Sequence, residues 1–221
     1  MNPPLKDSSA IDAATPVALE MGHRLFQSHM FATTDEGQVD YLLERLQPER
    51  YTHIVDMGCG VGEVARLMSL RRPDLYFTLV NFSEAQLLHC PHGKRIRHLR
   101  ADAHRTGLSA GHADVVMFTT ALVQMDMEQA LHEAARLLHT GGVLFLSEMV
   151  RFDGDNTEWE PLLGGRVPYP GELFSAIRIA GFADATAWSP KGDDSRFRKL
   201  LGDAAYLLNG VAPIIVRAVK L

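Results

Sequence analysis

Only two cysteines, Cys59 and Cys90, occur in the 221 residues. Two thiols cannot build a disulfide framework, so a small stapled secreted fold is excluded and a reducing compartment suits the chain. No apolar run approaches the roughly 20 residues of a membrane-spanning helix. The N-terminus carries Asp7 among polar residues and lacks the apolar core of a signal peptide, so the expected location is the cytoplasm. Long basic tracts are also missing. The net charge is -5, and the densest basic stretch, Lys94 to Arg100, holds four Lys or Arg residues. Such a chain is poorly suited to gripping a nucleic-acid backbone, and a solvated face accounts for that stretch.

What remains is an ordinary globular composition, 46% hydrophobic and 22% charged, which excludes wholesale disorder. The length suffices for one α/β domain and little more. Nothing repeats internally, and no linker-like stretch divides the chain. Residues 1–15, rich in Pro, Ser and Ala, are expected to be mobile. Val17, Met21, Leu25, Phe26 and Met30 are spaced for one face of a helix over 16–32. Thr34 caps a second helix over 35–47, which Pro48 ends.

From His53 onward the pattern alternates. Strands are read at 53–56, 76–80, 96–100, 114–119, 143–149, 182–188 and 211–221. Helices are read at 62–71, from Ser83, at 127–138 with Gly141-Gly142 ending it, at 170–179 and at 195–208. Near-continuous apolar strands separated by helices predict a three-layer α/β/α domain around a mostly parallel sheet. Residues 150–168 read as a long loop.

The first strand closes on Val55-Asp56-Met57-Gly58-Cys59-Gly60-Val61-Gly62 and opens a helix. Glycines there permit a tight turn and a close approach of backbone to a ligand. A purely structural turn would explain two glycines equally well. The whole run, however, resembles the first motif of class I S-adenosylmethionine (SAM)-dependent methyltransferases. The resemblance spans about 50–150 and implies a Rossmann-like, seven-stranded sheet whose last strand is antiparallel. It implies that Gly58, Cys59 and Gly60 underlie the amino-acid end of SAM and that Asp56 helps hold loop and ammonium. It implies no phosphate binding. It also divides the chain into an N-terminal helical cap over 1–48 and a SAM-binding domain over 49–221.

Further stretches extend the likeness. An acid for the ribose hydroxyls is normal about twenty residues past the glycines; here that place holds Asn81, followed by Phe82. Ser83 and Gln86 fit a helix-starting capping box. The same residues resemble the Leu-Ser-x-x-Gln form of C-methyltransferases acting on isoprenoids, sterols and fatty acyl chains, where the Gln faces the cofactor, and both readings stay open. Asp102 and Ala103 resemble the motif that contacts adenine, although a surface turn also explains Asp102. Thr119 and Thr120 resemble the strand end beside the sulfonium. The Pro-Pro box of nucleic-acid base methyltransferases is absent, replaced by Thr119-Thr120-Ala121-Leu122.

Methyl transfer from a sulfonium is an in-line displacement with a good leaving group, so positioning and exclusion of water can do much of the catalysis. No triad is present or required. Glu148, at the end of the fifth strand, is the first candidate for a catalytic or cation-stabilising carboxylate. His23 and His29 lie on the N-terminal helix, which covers the cofactor in related enzymes; His23 is the second candidate, with a solvated helix face as the plain alternative. His89, Cys90 and His92 are too tightly bunched around Pro91 to hold a metal, and no metal site is expected. Residues 150–168 and 189–210 are expected to form the acceptor pocket, with Phe152, Trp159, Tyr169, Trp188, Phe197 and Tyr206 supplying aromatic surface. The partner is then a small apolar or aromatic molecule, and neither nucleic acid nor membrane; a homodimer stays open. The competing classes are an NAD-dependent oxidoreductase, disfavoured because Glu63 stands where Gly-x-Gly-x-x-Gly needs its last glycine, and a SAM-binding protein that does not methylate.

Overall fold

A computed structural model describes residues 8–13, 15, 16, 19, 35–154, 165–189 and 210–221. The elements run α1 (Ser9–Ala13), α2 (Asp35–Leu46), β1 (His53–Met57), α3 (Glu63–Arg71), β2 (Tyr76–Asn81), α4 (Glu84–Leu87), β3 (Ile96–Arg100), β4 (Ala113–Thr119), a 3-10 turn (Leu122–Gln124), α5 (Met127–Leu137), β5 (Leu138–Arg151), α6 (Pro170–Ile179), β6 (Phe182–Trp188) and β7 (Val211–Lys220). The seven strands form one sheet in the order β3-β2-β1-β4-β5-β7-β6. Strands β1 to β5 are parallel, whereas β7 runs antiparallel to both β5 and β6. The architecture is the Rossmann-like fold with its antiparallel last strand.

Both faces of the central strands are buried, which is why β1, β2 and β4 read as unbroken apolar runs, while the edge strands β3 and β6 are partly exposed. Successive residues of a strand go to opposite cores. Ile54, Leu79, Met117 and Phe145 pack against Val39, Leu42 and Leu46 of α2 and Val64 and Met68 of α3. Val55, Val80, Val116 and Leu146 pack against Leu131 and Ala134 of α5 and Leu173 and Ile177 of α6. Asp126 caps α5 by accepting the Gln129 N–H at 3.0 Å. Among the described residues no helix is long and apolar enough to cross a membrane.

Three local expectations need correction. Residues 9–13 of the Pro-, Ser- and Ala-rich N-terminus form α1, held by Asp12, which accepts from Ser8 and Ser83. The helix before Gly141-Gly142 stops at Leu137, and the glycines lie within β5 beside a register shift against β4. A Cβ on Gly142 would sit 2.9 Å from the His139 carbonyl oxygen, so close packing across that irregularity, not a helix end, demands glycine. Ser83 does cap α4, accepting from the Gln86 N–H, but the Gln86 side chain meets Asn81 instead of closing the box. His23, His29 and the helices read at 16–32 and 195–208 lie largely or wholly outside the described residues.

Candidate cofactor site

The carboxyl edge of β1, β2 and β4 brings the predicted loop residues together. Asp56 is 1% exposed near the end of β1, and its Oδ1 has no hydrogen-bond partner. Burial alone pushes its carboxyl up to about 7. An isolated buried carboxylate is unfavourable unless a cation or donors meet it. Beyond it, the N–H groups of Gly58 and Cys59 both donate to the Val80 carbonyl, at 2.9 and 3.1 Å, pinning the loop to the end of β2.

Two loop glycines serve different purposes. At Gly58 (φ 73°) an added Cβ would lie 2.7 Å from Met125 Cε and 2.9 Å from Ala121 Cβ, so this glycine is required by packing. At Gly60 (φ 56°) it would meet nothing within 4 Å. Gly60 thus opens on free space beside the unpartnered Asp56. A backbone cradle next to an uncompensated carboxylate fits the ammonium end of SAM, and it would repel the pyrophosphate of a dinucleotide. Cys59 donates its thiol to the Gly60 carbonyl and lies 3.9 Å from the Cys90 sulfur. Its hydrogen bond with Cys90, burial and nearby Asp56 hold the thiol well above its usual range, which suits packing and not nucleophilic attack.

Asn81, buried at the end of β2, donates through Nδ2 to the Gly60 carbonyl at 3.1 Å and to Gln86 Oε1 at 2.8 Å. Its Oδ1 accepts the Ser83 N–H at 3.0 Å. One amide hydrogen therefore braces the loop and the other holds Gln86 of α4, while Oδ1 keeps a second lone pair. Phe82 is half-buried beside them. The Ser83 hydroxyl donates to Asp12, which joins α1 to the same network. Asp12 and its reach across 71 positions were missed in the sequence, where nothing local marks the pairing.

Asp102 and Ala103 follow β3. One oxygen of Asp102 accepts from His104 Nδ1 at 2.6 Å and from the His104 N–H at 2.9 Å. His104 Nε2 in turn accepts the Asp126 N–H at 3.0 Å, which fixes a neutral ring protonated on Nδ1. Ala103 is buried. Thr119 ends β4, and exposed Thr120 adopts φ 52°, an unusual conformation for a non-glycine residue at a carboxyl edge.

Glu148 lies one residue beyond the Thr119–Ser147 pairing and is 2% exposed. Its Oε1 accepts the N–H groups of Ala121 and Leu122, both at 2.9 Å, while Oε2 has no partner. Burial raises this carboxyl to about 7 against the opposing effect of those two bonds. It borders a cavity of about 180 Å³ lined by Leu122, Val123, Met125, Met127, Met149 and Leu173, with Arg166 at its side. Met125 also touches the space over Gly58 and so stands between loop and cavity. Of the aromatic residues expected around the acceptor, Phe152 and Tyr169 are exposed and Trp188 packs against the α2 side of the core; the other three lie outside the described residues. Among the described residues no group of His, Cys, Asp and Glu could hold a metal ion.

Residues 55–146 match the family described as a methyltransferase domain. Over that segment the chain is similar to the SAM-dependent methyltransferases, the likeness already read from its first motif. No curated protein matches the sequence significantly. Solved structures do share its fold. The [4+2]-cyclase SpnF superposes with a TM-score of 0.72 at 16% identity, covering 95% of each chain. A geranyl diphosphate C-methyltransferase from Streptomyces coelicolor, solved with S-adenosyl-L-homocysteine, gives 0.74 at 14% identity over 85% of this chain and 77% of that one. Phosphoethanolamine N-methyltransferase 2 of Haemonchus contortus, solved with SAM, gives 0.71 at 16% identity over 83% of this chain and 52% of that one.

Proposed function

We propose that this protein transfers the methyl group of SAM to a small apolar acceptor held in the cavity between the 121–127 segment and α6. The observation that carries the reading is the buried, unpartnered Asp56 carboxylate beside the open backbone of Gly60. Bound SAM supplies an electrophilic methyl on a sulfonium, and its departure leaves a neutral thioether. Asp56 receives the ammonium. Gly58 and Gly60 lie under the amino-acid portion, and the free lone pair of Asn81 Oδ1 with Gln86 faces the ribose. Asp102, oriented by His104, takes the adenine amino group. Thr119 and Thr120 flank the sulfur, and Met125 separates the reacting atoms from water.

Glu148 holds the 121–122 turn with one oxygen and presents the other to the acceptor. Ionised, it stabilises positive charge that develops on the acceptor; it also accepts the proton the acceptor loses after gaining the methyl. The cavity's aliphatic and thioether lining favours an isoprenoid-type or aromatic natural product, and C-methylation over O- or N-methylation. The structural likeness to a geranyl diphosphate C-methyltransferase supports that preference. The test is calorimetric titration with SAM and S-adenosylhomocysteine, then turnover of methyl-labelled SAM with prenyl, polyketide and phenolic acceptors. Absence of cofactor binding at millimolar ligand removes the reading.

The likeness to SpnF over 95% of both chains favours one second reading, a SAM-binding cyclase that leaves the methyl in place. Conversion of acceptor without formation of S-adenosylhomocysteine would select it.

A further inference from the structure

The amino edge of the sheet, opposite the cofactor loop, carries a second cavity, of about 370 Å³. Lys94, Arg95 and Arg97 line it together with His53, His112 and Tyr76, and no carboxylate does. The cavity exists because residues 101–112, which connect β3 to β4, form no helix. The start of β3 on the α5 side is consequently uncovered, and alternation places exposed Arg97 beside buried Thr78 on that face.

Lys94, Arg95 and Arg97 are exposed at the cavity rim, and one of them is held in place. Arg95 is pinned by a bond from Nη1 to the Pro73 carbonyl at 3.2 Å and by stacking over Tyr76 at 5.2 Å. His53 Nδ1 donates to the His112 carbonyl at 3.1 Å, and Nε2 lies 2.9 Å from Thr78 Oγ1, with which it shares a hydrogen bond. His53 is thereby fully engaged and supports the His112 ring, which meets it edge-on at 4.9 Å. His112 Nε2 is buried and has no partner. Lys94, Arg95 and Arg97 form no ion pair with any carboxylate among the described residues. The nearby carboxylate, Asp114, is engaged elsewhere, with the His53 N–H at 2.7 Å and His139 Nε2 at 3.1 Å.

We infer that this cavity binds a phosphate-type oxyanion, free or as the monoester group of a small metabolite. Three uncompensated cations in a chain of net charge -5, around a buried nitrogen without a partner, lack only a compact anion. Lys94 and Arg97 provide charge from the rim, Arg95 a fixed guanidinium, and His112 a donor once protonated. Burial, His53 and Arg97 together lower the His112 pKa in the empty protein. An anion reverses that effect, so binding draws a proton onto His112. A tetrahedral dianion matches donors grouped around one cavity better than a polynucleotide, which would need an extended basic track. The inference is independent of the methyltransferase reading, because the cavity lies at the other end of the strands.

The test is titration of the full chain with inorganic phosphate at constant ionic strength, set by sodium chloride, with imidazole resonances and calorimetry as readouts. The expected result is one saturable site with Kd on the order of 1 mM, and a His112 pKa that rises on binding. Arg97→Gln weakens it by about tenfold, and Lys94→Gln with Arg97→Gln abolishes it while thermal unfolding stays unchanged. Glycerol phosphate binding equally well identifies a monoester site; failure of the ester to compete identifies a site for free phosphate. A non-saturating response, the same shifts with added chloride, or phosphate binding unaltered in the double variant overturns the proposal.

Discussion

Asn81 donates one amide hydrogen to the Gly60 carbonyl at 3.1 Å and the other to Gln86 at 2.8 Å. The position where related sites carry a ribose-binding acid therefore serves first as a brace for the glycine loop. Asn81→Asp removes both donors and sets a carboxylate against two acceptor oxygens. Unfolding in denaturant should show a loss of about 1–3 kcal/mol, and calorimetry should show weaker S-adenosylhomocysteine binding. Tighter binding by the aspartate variant would mean that the side chain's main partner is the ribose.

Gly58 and Gly60 should respond differently to alanine. Gly58→Ala forces a methyl to within 3 Å of Met125 and Ala121, so it should lower stability by roughly 1–3 kcal/mol. Gly60→Ala meets no atom of the protein, and its positive φ (56°) adds strain of about 1 kcal/mol. Its main effect should be on ligand affinity, weakened by about tenfold or more. Thermal unfolding and SAM titration of the two variants, compared side by side, decide this.

Asp56 makes cofactor binding dependent on pH. Its carboxyl is raised to about 7 in the empty protein, and a bound ammonium favours the ionised form. SAM affinity should therefore rise about tenfold between pH 6 and pH 8, with a proton released on binding below neutrality. Asp56→Asn should flatten the profile. Stability runs the other way. A carboxyl whose folded pKa is raised contributes stability that is fully present below its ordinary range and is lost as pH climbs through 7. The empty protein should become less stable from about pH 4 to 7, and less steeply so in the asparagine variant. An unchanged slope there would locate the effect in Glu148 instead.

Glu148 combines a structural and a chemical role, and two substitutions separate them. Glu148→Ala leaves the N–H groups of Ala121 and Leu122 without their acceptor, at about 1–3 kcal/mol each. Glu148→Gln keeps an oxygen for both and should fold normally. With a turned-over acceptor, the glutamine variant should retain SAM affinity and lose kcat by about 10²-fold or more. Full kcat in that variant would reduce Glu148 to a brace for the turn.

Much of the architecture was legible locally. The doubly buried strands announced a covered parallel sheet, since residues facing two cores must all be apolar. Asp56 with its glycines marked the loop, because a positive φ and a close approach restrict the residue type in place. The failures share one cause. Gly141-Gly142 resembles a helix end until β4 is laid beside it, and Ser83-x-x-Gln86 resembles a closed box until Asn81 competes for the glutamine. His104 and Met125 carried no local signal at all.

The sequence alone determined the order of strands and helices, the glycine turn and the family likeness, all of which rest on periodicity and backbone preference over a few residues. Tertiary structure decided which carboxylates stand unpartnered, that Asn81 grips the loop, that Asp12 reaches Ser83, and that Lys94, Arg95 and Arg97 line one cavity with His53 and His112. Those properties depend on desolvation and on donor–acceptor distance between groups remote in the chain, and neither exists until the sheet has assembled.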